Sequence, residues 1–261
     1  MIWIDPPVWA AHGRLWSHLI SDASVEELHA FAARTHLPSR SFEGDHYDVP
    51  AERHAELVAA GAEPTSGGDL ARRLRDSGLR FRKRRGERPL ARIVDGLAAV
   101  GGRHTLEVIA STLEPPASSG AAVVLVHDGE GHVVLVRSHS RPGWAPPGGK
   151  REPGETIRAC AVREVAEETG LQLDPVLLSP VGYERVVVRA GEQVPPWDAG
   201  DNHIAVYAAR VSRRPVRPVA DDVAEAGWVP VDTVRQQCGS QPWWVLVDHW
   251  LWRLSGAGAP S

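Results

Sequence analysis

The stretch GKREPGETIRACAVREVAEETGL, residues 149–171, decides how the second half of the chain folds. Three of its glutamates, Glu164, Glu167 and Glu168, stand at positions i, i+3 and i+4. In an α-helix, which has about 3.6 residues per turn, side chains at this spacing lie on one face. The spacing therefore predicts a helix over residues 155–169 that carries three carboxylates in one acidic patch.

Three carboxylates this close together repel one another, which raises their pKa values and makes the patch costly unless a cation lies among them. Mg²⁺ prefers oxygen ligands and usually joins a few carboxylates to substrate phosphates. Just upstream, the sequence Pro-Pro-Gly-Gly-Lys at 146–150 predicts a tight turn poor in side chains, where backbone groups can approach a metal or a phosphate. The pattern predicts a magnesium site for a phosphate substrate. A solvated helix face tied by ordinary ion pairs is the alternative for a looser cluster.

The whole string resembles the Nudix box, which is a glycine, five residues, a glutamate, seven residues and then R-E-U-x-E-E-x-G-U, where U is apolar. Gly149, Glu155 and the run 163–171 match every defined position. The resemblance covers about residues 118–254, since apolar strands precede the box and Trp228 lies on a strand after it. It implies an α/β fold, the Nudix α/β/α sandwich with a mixed sheet, and hydrolysis of a nucleoside diphosphate linked to another group.

The resemblance also implies roles for individual residues. The carbonyl of Gly148 and the side chains of Glu164, Glu167 and Glu168 would hold Mg²⁺, for which Mn²⁺ could substitute. Arg163 would orient the carboxylates. Water would be the nucleophile, with Glu164 or Glu168 as the first candidates for the catalytic base.

Further candidates lie outside the helix. Asp222 and Glu225 could supply an additional base or metal ligand, and an exposed acidic loop is an equal interpretation. Arg137, Arg141 and Gly149 are candidates for substrate binding, because arginine suits bidentate contact with phosphate and glycine allows a close backbone approach.

The composition limits the function classes. The chain has 261 residues, 43% of them hydrophobic and 24% charged, which is typical of folded globular proteins. A net charge of -4 gives no general attraction to nucleic acid, so we do not expect nucleic acid as a partner. The amino terminus has no signal-peptide core, and no apolar run approaches membrane-spanning length, so we expect a cytoplasmic protein without a membrane partner. The sequence leaves the oligomeric state open, and a homodimer is one of the states compatible with it.

The pattern along the chain divides it into three segments: a small α/β domain over 1–83, a basic linker and connecting segment over 84–117, and the Nudix-like domain over 118–254. The basic run at 80–88 could contact phosphate, and a solvated linker is the simpler interpretation. Periodicity predicts strands at 1–5, 121–126, 132–137, 176–189, 204–211 and 228–231, and helices at 24–35, 50–60, 69–77, 89–100, 155–169 and 242–254.

The first segment resembles an uncharacterised bacterial domain that is often fused to Nudix domains, and this resemblance implies no activity. Its polar residues include metal-ligand types, so a metal or phosphoester site is one interpretation. The other is that these side chains cap helices and make buried hydrogen bonds. The candidate ligands are Asp5, His12, His18, Asp45 and His46.

Three functions compete. The first is a pyrophosphohydrolase, which the intact box favours. The second is a sensor, in which a Nudix fold binds a nucleotide ligand while the amino-terminal part contacts nucleic acid or protein. The third is isomerisation of a prenyl diphosphate, for which neither Cys160 nor Cys238 is obviously placed. The sequence does not distinguish ADP-ribose, a nucleotide sugar, a dinucleoside polyphosphate or an oxidised nucleotide as the substrate.

Overall fold

The protein is described here by a computed structural model that covers residues 1–139 and 143–254. Its described residues form two compact units, the first comprising 1–90 and the second comprising 91–139 and 143–254. Each unit is built on its own β-sheet. Among the described helices, none has the length and apolar character needed to cross a lipid bilayer.

The first unit, whose residues are all described, combines a five-stranded sheet with three α-helices. The strand order is β2-β3-β1-β5, and β4 also pairs with β3. The predicted strand at 1–5 and helices at 24–35 and 69–77 are confirmed, whereas four strands were missed. The elements are β1 (Ile2–Ile4), β2 (Trp9–Ala11), β3 (Arg14–Ser21), α1 (Val25–Arg34), β4 (Tyr47–Pro50), α2 (His54–Ala59), β5 (Glu63–Pro64) and α3 (Gly67–Asp76).

Local signals explain these elements. Ser24 caps α1 by accepting a hydrogen bond from the backbone N–H of Glu27, and Leu28 and Phe31 on one face of the helix are buried in the core. His12 and Gly13 both have positive φ, 50° and 74°, between paired strands β2 and β3. This is the backbone of a two-residue hairpin turn, which places His12 at the tip of the hairpin.

The second unit holds, within the described residues, an eight-stranded sheet and three α-helices. The strand order is β13-β9-β8-β12-β11-β7-β6, with β10 paired to β8. Strands β8 and β12 run parallel and β11 and β12 antiparallel, so the sheet is mixed as predicted. The elements are β6 (Arg88–Val94), β7 (His104–Ala110), β8 (Ala121–His127), β9 (His132–Ser138), β10 (Gly148–Lys150), α4 (Ile157–Thr169), β11 (Ser179–Val188), β12 (Gly200–Arg210), β13 (Val223–Pro230), α5 (Val231–Cys238) and α6 (Trp244–Leu254).

Helices cover both faces of this sheet. Ala122 and Val124 of β8 are buried in one cluster with Ala161 and Val165 of α4. His127, which has the opposite parity along β8, contacts the ring of Trp250 on α6 with 5.0 Å between centroids. Because successive side chains of a strand point to opposite faces, α4 and α6 lie on opposite sides of the sheet. The predicted α/β/α arrangement is confirmed.

The helix predicted at 89–100 is wrong, because residues 88–94 form the edge strand β6. Pro89 stands near the start of this edge strand, where a missing N–H is tolerated. Strand β7 (His104–Ala110), which follows it, lies between β6 and β11.

The basic run at 80–88 differs from a solvated linker, because several of its side chains pair with carboxylates of the first unit. Lys83 Nζ lies 3.2 Å from Glu43 Oε2, and Arg80 Nε lies 3.7 Å from Asp45 Oδ2. Phe81, inside the run, is buried. The first unit therefore includes this segment, while the three segment limits given above stay predictions.

Candidate active site

The acidic helix forms as its sequence predicts. Thr156 caps α4 by accepting from the backbone N–H of Ala159, and Gly170 ends it with a φ of 73°. Ile157, Ala161 and Val165 are buried against the sheet. The remaining face carries the glutamates, so the predicted helix at 155–169 is confirmed, beginning two residues later at Ile157.

Arg163 lies at the centre of the acidic face. Its Nη1 donates to Glu164 Oε1 at 2.8 Å and to Glu167 Oε2 at 2.9 Å, while its Nε donates to Glu155 Oε1 at 3.0 Å. Nη2 also donates to the carbonyl of Lys150 at 2.9 Å. The hydrogen bonds to Glu155 are the largest of the influences that raise the pKa of this guanidinium, which stays charged. One rigid fork thus fixes three carboxylates and the end of β10.

Glu164 packs against the backbone of Gly149 in β10. A Cβ atom at Gly149 would lie 2.5 Å from the Glu164 carboxylate, so any larger residue here would displace that carboxylate from its present position. The Glu164 side chain is 13% exposed. Burial raises the pKa of this carboxyl, and the charges of Glu167 and Asp222 add to the rise against the opposing effect of Arg163.

Glu168 connects α4 to the first residue of β10. It is 5% exposed, and its Oε2 accepts a hydrogen bond of 2.8 Å from the backbone N–H of Gly148. Gly148 and Gly149 in turn pair with Val123 and Ala122 of β8. The turn predicted at 146–150 is wrong for residues 148–150, which form strand β10 because they pair with β8, so α4, β10 and β8 are held as one assembly.

A divalent cation fits this set of donors. The carboxylates of α4 offer only oxygen, the ligand type that Mg²⁺ prefers. Neighbouring negative charge contributes to the raised pKa of Glu164, and a bound cation would offset this charge. The ligand atoms of the three α4 carboxylates do not all lie within 4.8 Å of one another. Within the described residues, the one group of three side chains that meets this distance lies in the first unit. In this structure Arg163 contacts Glu164 and Glu167.

A segment that sequence reasoning missed brings Asp222 to the site. The N–H groups of Val219 and Ala220 donate to the carbonyl of Glu167 at 2.8 and 2.9 Å, and that of Arg217 donates to the carbonyl of Thr169 at 2.9 Å. The segment before β13 is thus bound to the last turn of α4. No local signal in residues 217–220 indicates this contact, because it depends on backbone groups alone.

The other predicted substrate and base residues are less closely placed. Arg137 and Glu225 are directly opposite each other on β9 and β13, and Arg137 Nη2 lies 3.0 Å from Glu225 Oε2. Both are about half exposed. Arg141 lies outside the described residues. The roles assigned to these side chains, to Gly148 and to the α4 carboxylates stay predictions.

Cys160 bears on the isomerase alternative. Its thiol is buried on α4, and burial raises its pKa to about 11. A thiol with this pKa is protonated at neutral pH and is a poor nucleophile. This disfavours chemistry that needs a reactive cysteine at this position.

Comparisons with known proteins agree with this geometry. Residues 117–245 match the model of the NUDIX domain, and residues 2–77 match the model described as Protein of unknown function (DUF4031). The chain is 40% identical over 53 residues to the "Putative 8-oxo-dGTP diphosphatase" of Bacillus subtilis, covering 20% of this chain and 35% of that protein. It is 44% identical over 41 residues to the "Uncharacterized Nudix hydrolase YvcI" of the same organism, covering 16% of this chain and 26% of that protein.

The chain therefore spans about a third or less of the length of these curated relatives. Among solved structures, the pyrophosphohydrolase BsRppH of Bacillus subtilis is 20% identical, with a TM-score of 0.43, over 61% of this chain and 95% of that one.

Proposed function

Residues 117–245 of this chain are a NUDIX domain, and from that premise we propose that the protein is a Mg²⁺-dependent pyrophosphohydrolase. It would cleave the diphosphate bond of a nucleoside diphosphate linked to another group, with water as the nucleophile. The observation that carries the proposal is Glu164, a mostly buried carboxylate with a raised pKa, held between Gly149 and Arg163.

The α4 glutamates would hold the metal, with Glu164, Glu167 and Glu168 as side-chain ligands and Gly148 as a backbone ligand. A bound divalent ion supplies polarisation of phosphoryl oxygens and neutralisation of charge that develops in the transition state. Mg²⁺ is the ion we propose, because the donors are all oxygen, and Mn²⁺ would substitute.

The chain's own groups position the reaction. Arg163 keeps its charge and fixes the directions of Glu155, Glu164 and Glu167. Glu164 is our candidate for the base, since its carboxylate is fixed at the site by Arg163 and lies against Gly149. Glu168 is the second candidate, and Asp222 contributes negative charge next to Glu164.

Selectivity would come from groups around the metal site. Arg137, Arg141 and the backbone of Gly149 are our candidates for contact with substrate phosphates. The substrate panel follows from this chemistry: ADP-ribose, a nucleotide sugar, a dinucleoside polyphosphate and an oxidised nucleoside triphosphate such as 8-oxo-dGTP, which the name of one relative mentions. We also propose a cytoplasmic location, because both cysteines are free and buried, as suits a reducing compartment.

The test is hydrolysis of this panel by the full chain with Mg²⁺, comparing the wild type with Glu164→Gln. We expect kcat to fall by about 10²- to 10⁴-fold, because loss of a catalytic base has an effect of this size. Glu130→Gln is the matched control, since Glu130 is exposed and lies outside α4. Tight binding of a nucleotide with no product from the wild type would instead support the sensor, and equal kcat for wild type and Glu164→Gln would refute the role of this carboxylate.

A further inference from the structure

The first unit contains a second cluster of metal-ligand side chains, separate from α4. His18, His46 and Asp48 each offer one ligand atom, and these atoms all lie within 4.8 Å of one another. Within the described residues, this is the one group of three such side chains that meets this distance. We propose that it is a binding site for a zinc ion, formed by Nε2 of His18, Nε2 of His46 and the carboxylate of Asp48.

The sheet brings the three ligands together. His18 on β3 is directly opposite Asp48 on β4, so both side chains lie on the same face of this strand pair. His46 precedes Asp48 by two residues, the spacing that returns a side chain to the same face of an extended strand. The rings of His18 and His46 meet edge to face with 5.2 Å between centroids.

Two buried carboxylates orient the imidazoles from behind. Asp5, which is 1% exposed, lies 3.0 Å from His18 Nδ1, and Asp45, which is 4% exposed, lies 2.5 Å from His46 Nδ1. Each Nδ1–H then donates to a carboxylate, which leaves Nε2 as the coordinating atom. Histidines that bind zinc in proteins are oriented by carboxylates in this way.

The two orienting carboxylates are themselves fixed. Asp5 also accepts from the indole Nε1 of Trp9 at 2.9 Å and from the backbone N–H of His18. Asp45 accepts from the backbone N–H of Phe81 at 2.6 Å. These contacts hold each histidine ring in place before any ion arrives.

The distances suit a small ion. Asp48 Oδ1 lies 3.4 Å from His46 Nε2 and 4.0 Å from His18 Nε2. In a tetrahedral zinc site, with bonds of about 2 Å, neighbouring donor atoms are about 3.3 Å apart. Asp48 is 40% exposed, so an ion can enter from solvent with a modest inward movement of the ligands.

The ligand types favour zinc over magnesium. Two imidazole nitrogens and one carboxylate match zinc chemistry, whereas Mg²⁺ requires oxygen. Three protein ligands leave a fourth position for water or a substrate group, which is the arrangement of catalytic rather than structural zinc sites. His12 is excluded, because it occupies the turn before β3, and His18 lies four residues beyond Arg14, about 13 Å along the strand.

The test is zinc binding by the full chain after removal of metals with a chelator, measured by calorimetry and by elemental analysis. The wild type is expected to bind one zinc ion that Asp48→Asn and His18→Gln lose, with affinity lower by about 100-fold or more. Asp48→Asn is the main variant because the side chain of Asp48 is 40% exposed and asparagine keeps its size. His12→Gln is the matched control and is expected to retain the ion.

Glu164→Gln separates this site from α4. Zinc binding that survives Glu164→Gln and is lost with Asp48→Asn supports the proposal. No zinc bound by the wild type, or binding that is lost with Glu164→Gln and unchanged by Asp48→Asn, would overturn it. Asp5→Asn tests the orienting role, with an expected 10- to 100-fold loss of zinc affinity and an unchanged circular dichroism spectrum without metal.

Discussion

At the scale of single residues, the contact between Gly149 and Glu164 leads to a prediction that separates activity from stability. A Cβ at position 149 would lie 2.5 Å from the Glu164 carboxylate, the far end of a flexible side chain that can move aside. We expect Gly149→Ala to displace this carboxylate and lower kcat by about 100-fold, since misplacement of about 1 Å has an effect of this size. The melting temperature should change little.

Gly227→Ala is the control for this prediction, because no atom lies within 4 Å of a Cβ at Gly227. Steady-state kinetics and thermal unfolding of both variants provide the comparison. Full activity of Gly149→Ala would mean that the position of the Glu164 carboxylate does not limit the reaction.

The buried carboxyl of Glu184 on β11 should make the stability of the protein depend on pH. It is buried, and burial raises its pKa from 4.5 to about 7. Below about pH 4.5 both folded and unfolded states carry the proton. Between pH 4.5 and 7 the unfolded state loses it first, so the free energy of unfolding falls as pH rises, by about 3 kcal/mol in full.

Glu184→Gln removes this titration. Urea unfolding at pH 5 and pH 8 should therefore show the variant gaining about 2 kcal/mol relative to wild type at the higher pH. Glu130→Gln, at an exposed position, should show no such change. An equal difference between Glu184→Gln and wild type at both pH values would contradict the raised pKa.

Residue spacing predicted part of the two sites. The i, i+3, i+4 spacing of Glu164, Glu167 and Glu168 was enough to predict that they share one face of α4, because a helix fixes which side chains lie together. The first unit was harder, since the set of candidate ligands omitted Asp48 and included His12. The two-residue spacing of His46 and Asp48 was a readable signal, whereas the pairing of β3 with β4 depends on tertiary structure.

At the scale of elements, a buried ion cluster joins the three strands at one edge of the large sheet. Glu107 of β7 accepts from Arg92 of β6 at 2.9 Å and from Arg185 of β11 at 2.6 Å. Removing the carboxylate leaves two mostly buried guanidinium groups without this counter-charge. We expect Glu107→Gln to lower the free energy of unfolding by about 3–5 kcal/mol.

Denaturant unfolding of Glu107→Gln beside Glu130→Gln checks this value. A decrease in the free energy of unfolding of less than about 1 kcal/mol would mean that solvent screens the charges of this cluster, as it does for exposed ion pairs.

The same edge explains the wrong helix prediction. Leu90, Ala91, Ile93 and Val94 are compatible with a helix or a strand by themselves. The strand is favoured by pairing with β7, to which the ion pair of Arg92 and Glu107 adds, and these contacts depend on tertiary structure. In contrast, α4 has its own cap at Thr156 and its own stop at Gly170, so local signals were sufficient.

At the scale of the whole molecule, the eight-stranded sheet determines where the chain can be cut. Strands β6 and β7 precede residue 118, and Leu106, Val108 and Ile109 of β7 are fully buried. A fragment of residues 118–254 would expose the edge of β11, and we expect it to aggregate. A fragment of residues 84–254 keeps both strands and should be monodisperse by size-exclusion chromatography.

Retained hydrolysis by the fragment 84–254 would place the chemistry of the protein in its second unit. A well-folded fragment 118–254 would show that β6 and β7 are dispensable to the sheet, contrary to this expectation.

The parallel pairing of β8 with β12 determines when the sheet can be completed as the chain is synthesised. Ala121 of β8 aligns with Ile204 of β12, and α4 is encoded between them. During synthesis, α4 therefore leaves the ribosome before β12, the strand on which part of its apolar side packs. The nascent chain must shield the apolar side of that helix until β12 emerges, so an arrested chain that ends before Gly200 should be sensitive to proteases and should recruit chaperones.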